Sequence, residues 1–562
     1  MTLPASQTSA APTFGELFLP KLVTVLREGY SARDLRRDAV AGLTVAIVAL
    51  PLSMAIAIAS GVSPDRGIYT AIVGGFFVSL LGGSRYQIGG PAGAFIGLVA
   101  GVVERHGYDG LVLATVMAGL MLLAAGLLRA GTYVKYIPFP VTVGFTAGIA
   151  VIIVASQVTD FLGLTLAHEP ADLLPKMRAL AGAIGTLHWS TVGVAVLSVG
   201  IIALVRKLAP TWPAFLIAVA AVSAAAVAVH LDVATVGSRF GALPNMLPSP
   251  ALPAFSLAKL QAVFPDAVAI AILGAIESLL SAVVADGMSG ARHRSNCELA
   301  AQGIANIAAA ICGGICVTGT IARTATNIRA GARGPIAGMF HCVYLLAFLL
   351  VAAPLVSYIP LAALAAVLVT VAWRMAEKEE FWSLLRGSRG DAVVMLATFL
   401  LTIFVNLMTG IGVGVVFGAL LFLHRMAEAV EVQGGPHLML EDMADVTGQP
   451  GGFDAAQAVK QDVMVYRISG AFFFGATAQV SMVLERLAVH PKIFVLDFSD
   501  VPLIDSTATH SLARFTARLR RSGTTVYFAA ARPAVRRELA RAGLDNAAVH
   551  YVTAVGDVKS VT

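Results

Sequence analysis

Two ionisable residues, Glu277 and Arg323, lie inside long apolar stretches of this sequence. Charged side chains at such positions are costly in a membrane and usually take part in function. The guanidinium of Arg323 offers a fork of N–H donors that suits carboxylate or sulfate. Glu277, with the Ser281 hydroxyl one turn further on, predicts a site that couples transport to a proton or to sodium. The alternative interpretation is a permanent ion pair between Glu277 and Arg323.

Two glycine-rich segments interrupt the apolar pattern at corresponding places in the two halves of the chain. Residues 89–94 read Gly-Gly-Pro-Ala-Gly-Ala, and residues 313–323 contain three glycines ahead of Arg323. Interrupted spans at matching positions indicate the binding site of a transporter, although glycines also permit close helix packing. A helix that starts inside the membrane presents unpaired amides and a partial positive charge. Two facing helix starts therefore predict an anion site.

Other chemistry is weakly represented in the sequence. Pro51 interrupts the first apolar run, so freed carbonyls and the Ser53 hydroxyl either face the same cavity or mark a simple kink. No lysine follows a glycine, which excludes a Walker A motif. Neither a Gly-x-Ser-x-Gly motif nor a cluster of metal ligands is present. We therefore expect no enzyme activity, no metal and no cofactor, and transport driven by gradients of substrate or of ions.

Fourteen apolar segments would position these residues, since about 20 apolar residues are needed to cross a bilayer. Nine are long, and five are short or broken by glycine. In chain order they are residues 39–59, 69–81, 90–103, 111–128, 141–161, 192–205, 214–229, 267–285, 299–311, 319–330, 336–351, 361–371, 392–408 and 411–423.

The charge distribution supports this count. Only 13% of the residues are charged and 57% are hydrophobic, with a mean hydropathy of +0.81, which excludes a soluble protein. If the chain starts inside and alternates, nineteen lysines and arginines fall on the inner side and six on the outer side. Both termini are then cytoplasmic. The net charge of +6 reflects topology, because no basic stripe with interleaved aromatic residues suggests nucleic acid.

The sequence divides into four regions. Residues 1–38 form a cytoplasmic segment, residues 39–426 the membrane domain, residues 427–459 a linker, and residues 460–562 a soluble domain. In the last region, strand patterns at 463–468, 493–498 and 526–529 alternate with helix patterns at 480–487, 507–521 and 534–542. This alternation predicts a small α/β domain.

Several motifs together resemble one known family, that of the sulfate permease (SulP) anion transporters, which are related to animal solute carrier family twenty-six. They stand at residues 49–55, 67–71, 82–85, 90–94, 274–280 and 322–331. The resemblance runs from about Arg36 to the C-terminus. Residues 274–280, 286–288 and 322–331 look most similar to the enterobacterial member that takes up C4-dicarboxylates such as succinate.

This resemblance implies an α-helical polytopic membrane protein with a seven-plus-seven inverted repeat. A gate domain and a core domain would move in an elevator-like way. Glu277 stands where sodium-driven bicarbonate members carry an aspartate, and this departure favours coupling to protons over sodium. Ser53 stands where the family often has glutamine. The anion would lie between the third and tenth helix starts, near Ala92, Gly93, Ala94, Phe95, Thr320, Ile321, Ala322 and Arg323.

The soluble region resembles the STAS domain, which is shared with anti-sigma-factor antagonists. The diagnostic stretch is residues 503–508, a loop that leads into a helix. In soluble relatives a hydroxyl of this loop is phosphorylated, which makes Ser506 and Thr507 candidates for a switch. The alternative is that Asp505 and Ser506 only cap the helix. The domain is expected to bind a regulatory cytosolic protein.

We therefore expect a secondary anion transporter of a bacterial inner membrane, forming a homodimer through its spans or its STAS domain. Sulfate, bicarbonate and C4-dicarboxylate all suit two helix starts and one arginine. Two other functions stay open. One is a nucleobase-type permease of the same fourteen-span fold, and the other is a non-transporting membrane sensor that signals through STAS.

Overall fold

The computed structural model describes residues 14–166, 170, 172–209, 212–242, 244–434, 463–477, 480, 491–545 and 549–560. The chain divides into two compact units, Met1–Val415 and Val416–Thr562. Each unit has its own hydrophobic core.

Helices make up the first unit, and the last of them continues into the second unit. Long apolar runs explain most of them, and Ser31 begins the third with a capping box to Asp34. In chain order they are α1 Phe14–Phe18, α2 Lys21–Arg27, α3 Ala32–Ala59, α4 Pro64–Tyr69, α5 Gly75–Leu81, α6 Ile96–Leu127, α7 Phe139–Leu162, α8 Leu173–Ala183, α9 Trp189–Leu208, α10 Ala214–Ala228, α11 Val236–Phe240, α12 Leu257–Ser289, α13 Ser295–Ile311, α14 Ile321–Arg329, α15 Ile336–Val356, α16 Leu361–Met375, α17 Lys378–Arg386, α18 Arg389–Phe404 and α19 Leu407–Glu428.

Within the described residues, fourteen helical segments occupy the positions of the fourteen predicted spans. Seven helices are long and apolar enough to cross a membrane by themselves. One of these, Gly93–Leu127, contains both the third and the fourth span. Its helical backbone is interrupted at Gly107, where a φ of 66° favours glycine. The second span consists of α4, a π-helical turn at Thr70–Gly74, and α5.

The spans pack in two groups. In the first group α6 packs on α12 and α13, while α15 packs on α3 and α5. In the second group α7 packs on α9, α16 and α18, and α9 also packs on α10. Contacts of α3 with α10 and α16 join the groups. Each group thus combines spans from both halves of the chain, as an inverted repeat requires.

The second unit contains a five-stranded sheet. Its strands are β3 Glu431–Gly434, β4 Val463–Ser469, β5 Ile493–Asp500, β6 Thr525–Ala529 and β7 His550–Val552, in that spatial order. The pair β3–β4 is antiparallel and the others are parallel. Helices α20 (Ser506–Arg521) and α21 (Pro533–Arg541) bury apolar faces in a core with Phe494, Phe498 and Phe528.

Two structural features lie at the predicted boundaries of this unit. Residues 431–434, which the sequence assigns to a linker, form the edge strand β3, because their backbone pairs with residues 466–469 of β4. The core of the unit also includes contacts from Leu423, Met426 and Ala427 at the end of α19. The predicted helix 480–487 lies outside the described residues except for Val480.

Candidate functional site

The two glycine-rich segments meet in the first unit. Strand β1 (Gly89–Gly90) pairs antiparallel with β2 (Thr318–Gly319), so that Gly89 lies opposite Gly319 and Gly90 opposite Thr318. A helix begins directly after each strand. A 3-10 turn at Gly93–Phe95 leads into α6, and α14 begins at Ile321. The strand pair therefore brings the two predicted helix starts together.

Both helix starts present free backbone amides. Ala92 and Thr320, the residues before the first helical turns, have extended backbones with φ of −116° and −113°. Neither start receives a side-chain cap from the described residues. The hydroxyl of Thr320 instead donates to the carbonyl of Ile88. The Phe95 amide already donates to the Ala92 carbonyl. The other first-turn amides and the helix dipoles are consequently available to an anion.

Arg323 lies in the first turn of α14, and its side chain is only 1% exposed. Its Nη2 donates to the Ser53 hydroxyl at 3.1 Å and to the Pro91 carbonyl at 3.3 Å. Its Nε and Nη1 have no hydrogen-bond partner among the described residues. A buried guanidinium with three unused N–H groups, one on Nε and two on Nη1, is an unsatisfied cation, and such groups are costly unless a ligand completes them.

Gly90 provides the space for this guanidinium. A Cβ atom at position 90 would collide with Nη1 of Arg323. The glycine therefore belongs to the site because a larger residue would displace the cation.

Glu277 is buried in α12, where its side chain is 8% exposed. Two hydrogen bonds tie α12 to the tenth segment on either side of it. The Thr318 hydroxyl donates to the Gly274 carbonyl, and the Ser281 hydroxyl donates to the Thr324 hydroxyl, each at 3.3 Å. Within the described part of the chain, Glu277 makes neither an ion pair nor a side-chain hydrogen bond. The alternative of a permanent ion pair with Arg323 is therefore wrong.

The other predicted site residues lie around the two helix starts. Ala92, Ala94 and Phe95 are buried, as is Thr320, whereas Gly93 and Ile321 are partly exposed and Ala322 is exposed. A Cβ at Gly93 would lie 3.0 Å from the side chain of Ile153 on α7. Part of α7 therefore closes over the start of the third segment.

Of the residues that hold the crossing together, the sequence predicts only Asn306, whose amide is typical of a hydrogen bond between helices. The Thr324 hydroxyl accepts from the Ile88 amide, and the Thr70 hydroxyl accepts from the Ile315 amide. Glu298 and Asn306 of α13 bind other backbone atoms of the same two segments. The available signal was a hydroxyl or amide side chain near a predicted helix break. Irregular backbone at membrane depth needs hydrogen-bond partners of this kind.

In the second unit, Asp505 caps α20. Its Oδ1 accepts from the Ala508 amide and its Oδ2 from the Phe474 amide, each at 2.9 Å. Ser506 and Thr507 are exposed in the first helical turn. Asp505 therefore has the capping role that the alternative interpretation gave it, and the two hydroxyls remain accessible. In the described residues of the whole chain, no three His, Cys, Asp or Glu side chains form a group that could hold a metal ion.

Comparisons with known proteins identify the family to which the chain belongs. Residues 35–398 match the model of the sulfate permease family, and residues 455–555 match that of the STAS domain. The protein YvdB of Bacillus subtilis, whose name assigns it provisionally to sulfate transport, is 40% identical over 88% of this chain and 91% of its own length. The bicarbonate transporter BicA of Synechocystis is 30% identical over 90% of each chain.

Solved structures show the same architecture. The transmembrane domain of a cyanobacterial bicarbonate transporter BicA aligns with a TM-score of 0.62 and 33% identity, covering 68% of this chain and 98% of that one. The murine solute carrier 26 family member A9 anion transporter, in the inward-facing state, aligns with a TM-score of 0.83 over 99% of this chain and 96% of that one. At 16% identity, this second likeness shows the fold alone.

Proposed function

The chain belongs to the sulfate permease family, and from that premise we propose that it is a secondary transporter of a small anion. The substrate classes that fit are sulfate, bicarbonate and a C4-dicarboxylate. The names of the relatives support the first two. The third rests on the resemblance of residues 274–280, 286–288 and 322–331.

One observation carries the proposal. Arg323 is a buried cation with three unused N–H groups, and it stands at the meeting point of two helix starts. An anion at this point would accept hydrogen bonds from the guanidinium and from the backbone amides, and it would offset the positive charge. A neutral substrate such as a nucleobase would leave the charge of Arg323 uncompensated, so this proposal excludes the nucleobase-type permease.

The test is uptake of labelled sulfate, bicarbonate and succinate into proteoliposomes that contain the full chain. Arg323→Met should reduce uptake of the true substrate by about tenfold or more, because hydrogen bonds to charged groups contribute about 1.5–3 kcal/mol. Arg329→Met, an exposed arginine on the same helix, is the control and should keep wild-type uptake. Wild-type vesicles that take up none of the three anions would overturn the proposal, as would equal uptake by both variants.

We further propose that Glu277 couples transport to a proton. Its carboxyl is buried near the site without a partner from the described residues, a position at which a carboxyl can exchange a proton during the transport cycle. Uptake driven by an inward proton gradient, and not by an inward sodium gradient, is the expected result. Stimulation by sodium alone would replace the proton with sodium in this role.

The movement proposed is elevator-like. The two packing groups of spans meet beside the third helix start, where a Cβ at Gly93 would lie 3.0 Å from Ile153 of α7. Sliding one group past the other would expose the anion to alternate sides. A cysteine at position 93, with Ile153→Cys as its partner, should form a cross-link that stops transport and is reversed by reductant. Full transport in the cross-linked protein would exclude the elevator.

The location and assembly proposed are those of a homodimer in a bacterial inner membrane, with both termini in the cytoplasm. The STAS domain would regulate transport through a cytosolic partner or through phosphate on Ser506 or Thr507, whose exposed hydroxyls stand beside a helix start. Ser506→Ala/Thr507→Ala should remove any phosphate found by mass spectrometry. Phosphorylation combined with an absence of flux would favour the membrane sensor.

A further inference from the structure

Three buried polar side chains follow one face of α13, the ninth span. Glu298, Gln302 and Asn306 are spaced one helical turn apart and are 0%, 0% and 1% exposed. Residues four apart lie on the same face of a helix. Gln302 joins the other two, since its Nε2 donates to Glu298 Oε1 and its backbone carbonyl accepts from Asn306 Nδ2.

At one end of this row, Glu298 holds the peptide that precedes the third helix start. Its Oε2 accepts from the amides of Gly83 and Ser84, at 2.8 and 3.0 Å, and its Oε1 accepts from Gln87 Nε2 at 2.8 Å. With Gln302, four N–H groups converge on the two carboxylate oxygens. An ionised carboxylate only accepts hydrogen bonds, so it matches this set of donors.

At the other end, Asn306 holds the peptide that precedes the tenth helix start. Its Oδ1 accepts from the Val317 amide at 3.0 Å, and its Nδ2 donates to the Val317 carbonyl at 2.8 Å. The side chain thus pairs with both polar groups of one residue, as a neighbouring strand would. Val317 directly precedes β2, and Gln87 lies two residues before β1.

We propose that α13 sets the register of the crossing, with Glu298 and Asn306 as positioning residues for the anion site. The strands β1 and β2 contain two residues each, which is too short to fix the two helix starts by themselves. Because one rigid helix holds both incoming peptides, it fixes the distance between the two starts. This inference rests on the proposed function, since it concerns how the same anion site is built.

The test compares two asparagines of α13. Asn306→Ala removes the contacts to Val317, whereas Asn296→Ala removes a similar contact to the Gly131 amide, in a connection away from the crossing. Asn306→Ala should raise the half-saturating anion concentration by about tenfold, with maximal uptake per folded protein within about twofold of wild type. Asn296→Ala should change neither value. Reduced maximal uptake at an unchanged half-saturating concentration would overturn the positioning role.

Hydrogen exchange provides a readout that does not need transport. In Asn306→Ala the peptide over residues 313–319 should exchange faster than in wild type, while the peptide over residues 82–88 should respond to Glu298→Gln. Unchanged exchange in both peptides would overturn the inference even if the half-saturating concentration rose. Faster exchange in a protein that moves none of the three anions would support the positioning of the segments and reject the proposed function.

Discussion

The third and tenth segments enter the crossing as counterparts from two repeats, but they contribute different chemistry. The third segment supplies glycines, a proline and alanines before a helix that runs to the break at Gly107. The tenth segment supplies Thr318 and Thr320 before a helix of nine residues, and Arg323 in the first turn of that helix. The two hydrogen bonds between the Glu277 helix and the crossing also involve the tenth segment.

This difference separates two tasks within one symmetric backbone. Both segments offer helix amides, so both can attract an anion. The tenth adds the cation and the link to the candidate coupling residue, while the third stays small so that the guanidinium of Arg323 has room. Substitutions in the third segment should therefore act sterically, by filling the space that the guanidinium of Arg323 occupies. Substitutions in the tenth segment should act by removing functional side-chain groups.

Gly90→Ala should have the largest effect, because the new Cβ would collide with Nη1 of Arg323 and displace the guanidinium. Anion affinity measured by binding to purified protein should fall by about tenfold or more. Gly193→Ala is the control, since a Cβ at that position has no atom within 4 Å. Wild-type affinity in Gly90→Ala would show that the third segment has no steric effect on Arg323.

Glu277→Gln should next remove the response to a proton gradient. A gradient of one pH unit can drive about a tenfold accumulation for each coupled proton, because it corresponds to about 1.36 kcal/mol. The variant cannot take up this proton, so accumulation should vanish while uptake down an anion gradient persists. Glu379→Gln on exposed α17 is the control. Proton-driven accumulation by Glu277→Gln would show that Glu277 does not couple transport to protons. The link from the tenth segment to this residue would then have no role in coupling.

Thr324→Val should have an intermediate effect, since it removes the acceptor for the Ile88 amide and for the Ser281 hydroxyl. An unsatisfied buried group costs about 1–3 kcal/mol, so the protein should unfold at a lower temperature in detergent. Thr326→Val on the same helix loses only a bond within the helix and should unfold almost as wild type does. Equal unfolding temperatures would mean that Thr324 does not join the two segments.

Ser53→Ala should have the smallest effect. It removes one of two hydrogen bonds to Nη2 of Arg323, and the Pro91 carbonyl keeps the other. Anion affinity should fall about twofold to fivefold, in line with the loss of one modest hydrogen bond. Ser60→Ala, whose hydroxyl bonds only within the same turn region of the first span, should bind as wild type does. A larger loss of anion affinity in Ser53→Ala than in Gly90→Ala would contradict this order of effects.

The sequence was informative wherever the local composition or a single residue determines the local structure. Apolar length marked the spans, glycine and proline marked the interrupted helices, and an isolated charge marked Arg323 and Glu277. Pro51 is an exception, because it does not end a helix and α3 continues through it. The short helices α8, α11 and α17 were also missed, because none of them follows from a long apolar run.

The partners of buried polar groups could not be predicted in the same way. Glu298 directly precedes the predicted ninth span, where a carboxyl resembles a boundary residue facing water. Only the approach of the Gly83 and Ser84 amides, more than two hundred residues earlier, shows that it is fully buried. Strand β3 poses the same problem, since four residues acquire their conformation only by pairing with β4.

The end of the last span has a mechanical consequence. Leu423, Met426 and Ala427 of α19 pack against the core of the C-terminal domain, and β3 begins three residues after α19 ends. A helix whose end is built into a domain cannot tilt or rotate without applying a torque to that domain. The last turns of α19 are thus mechanically part of the C-terminal domain.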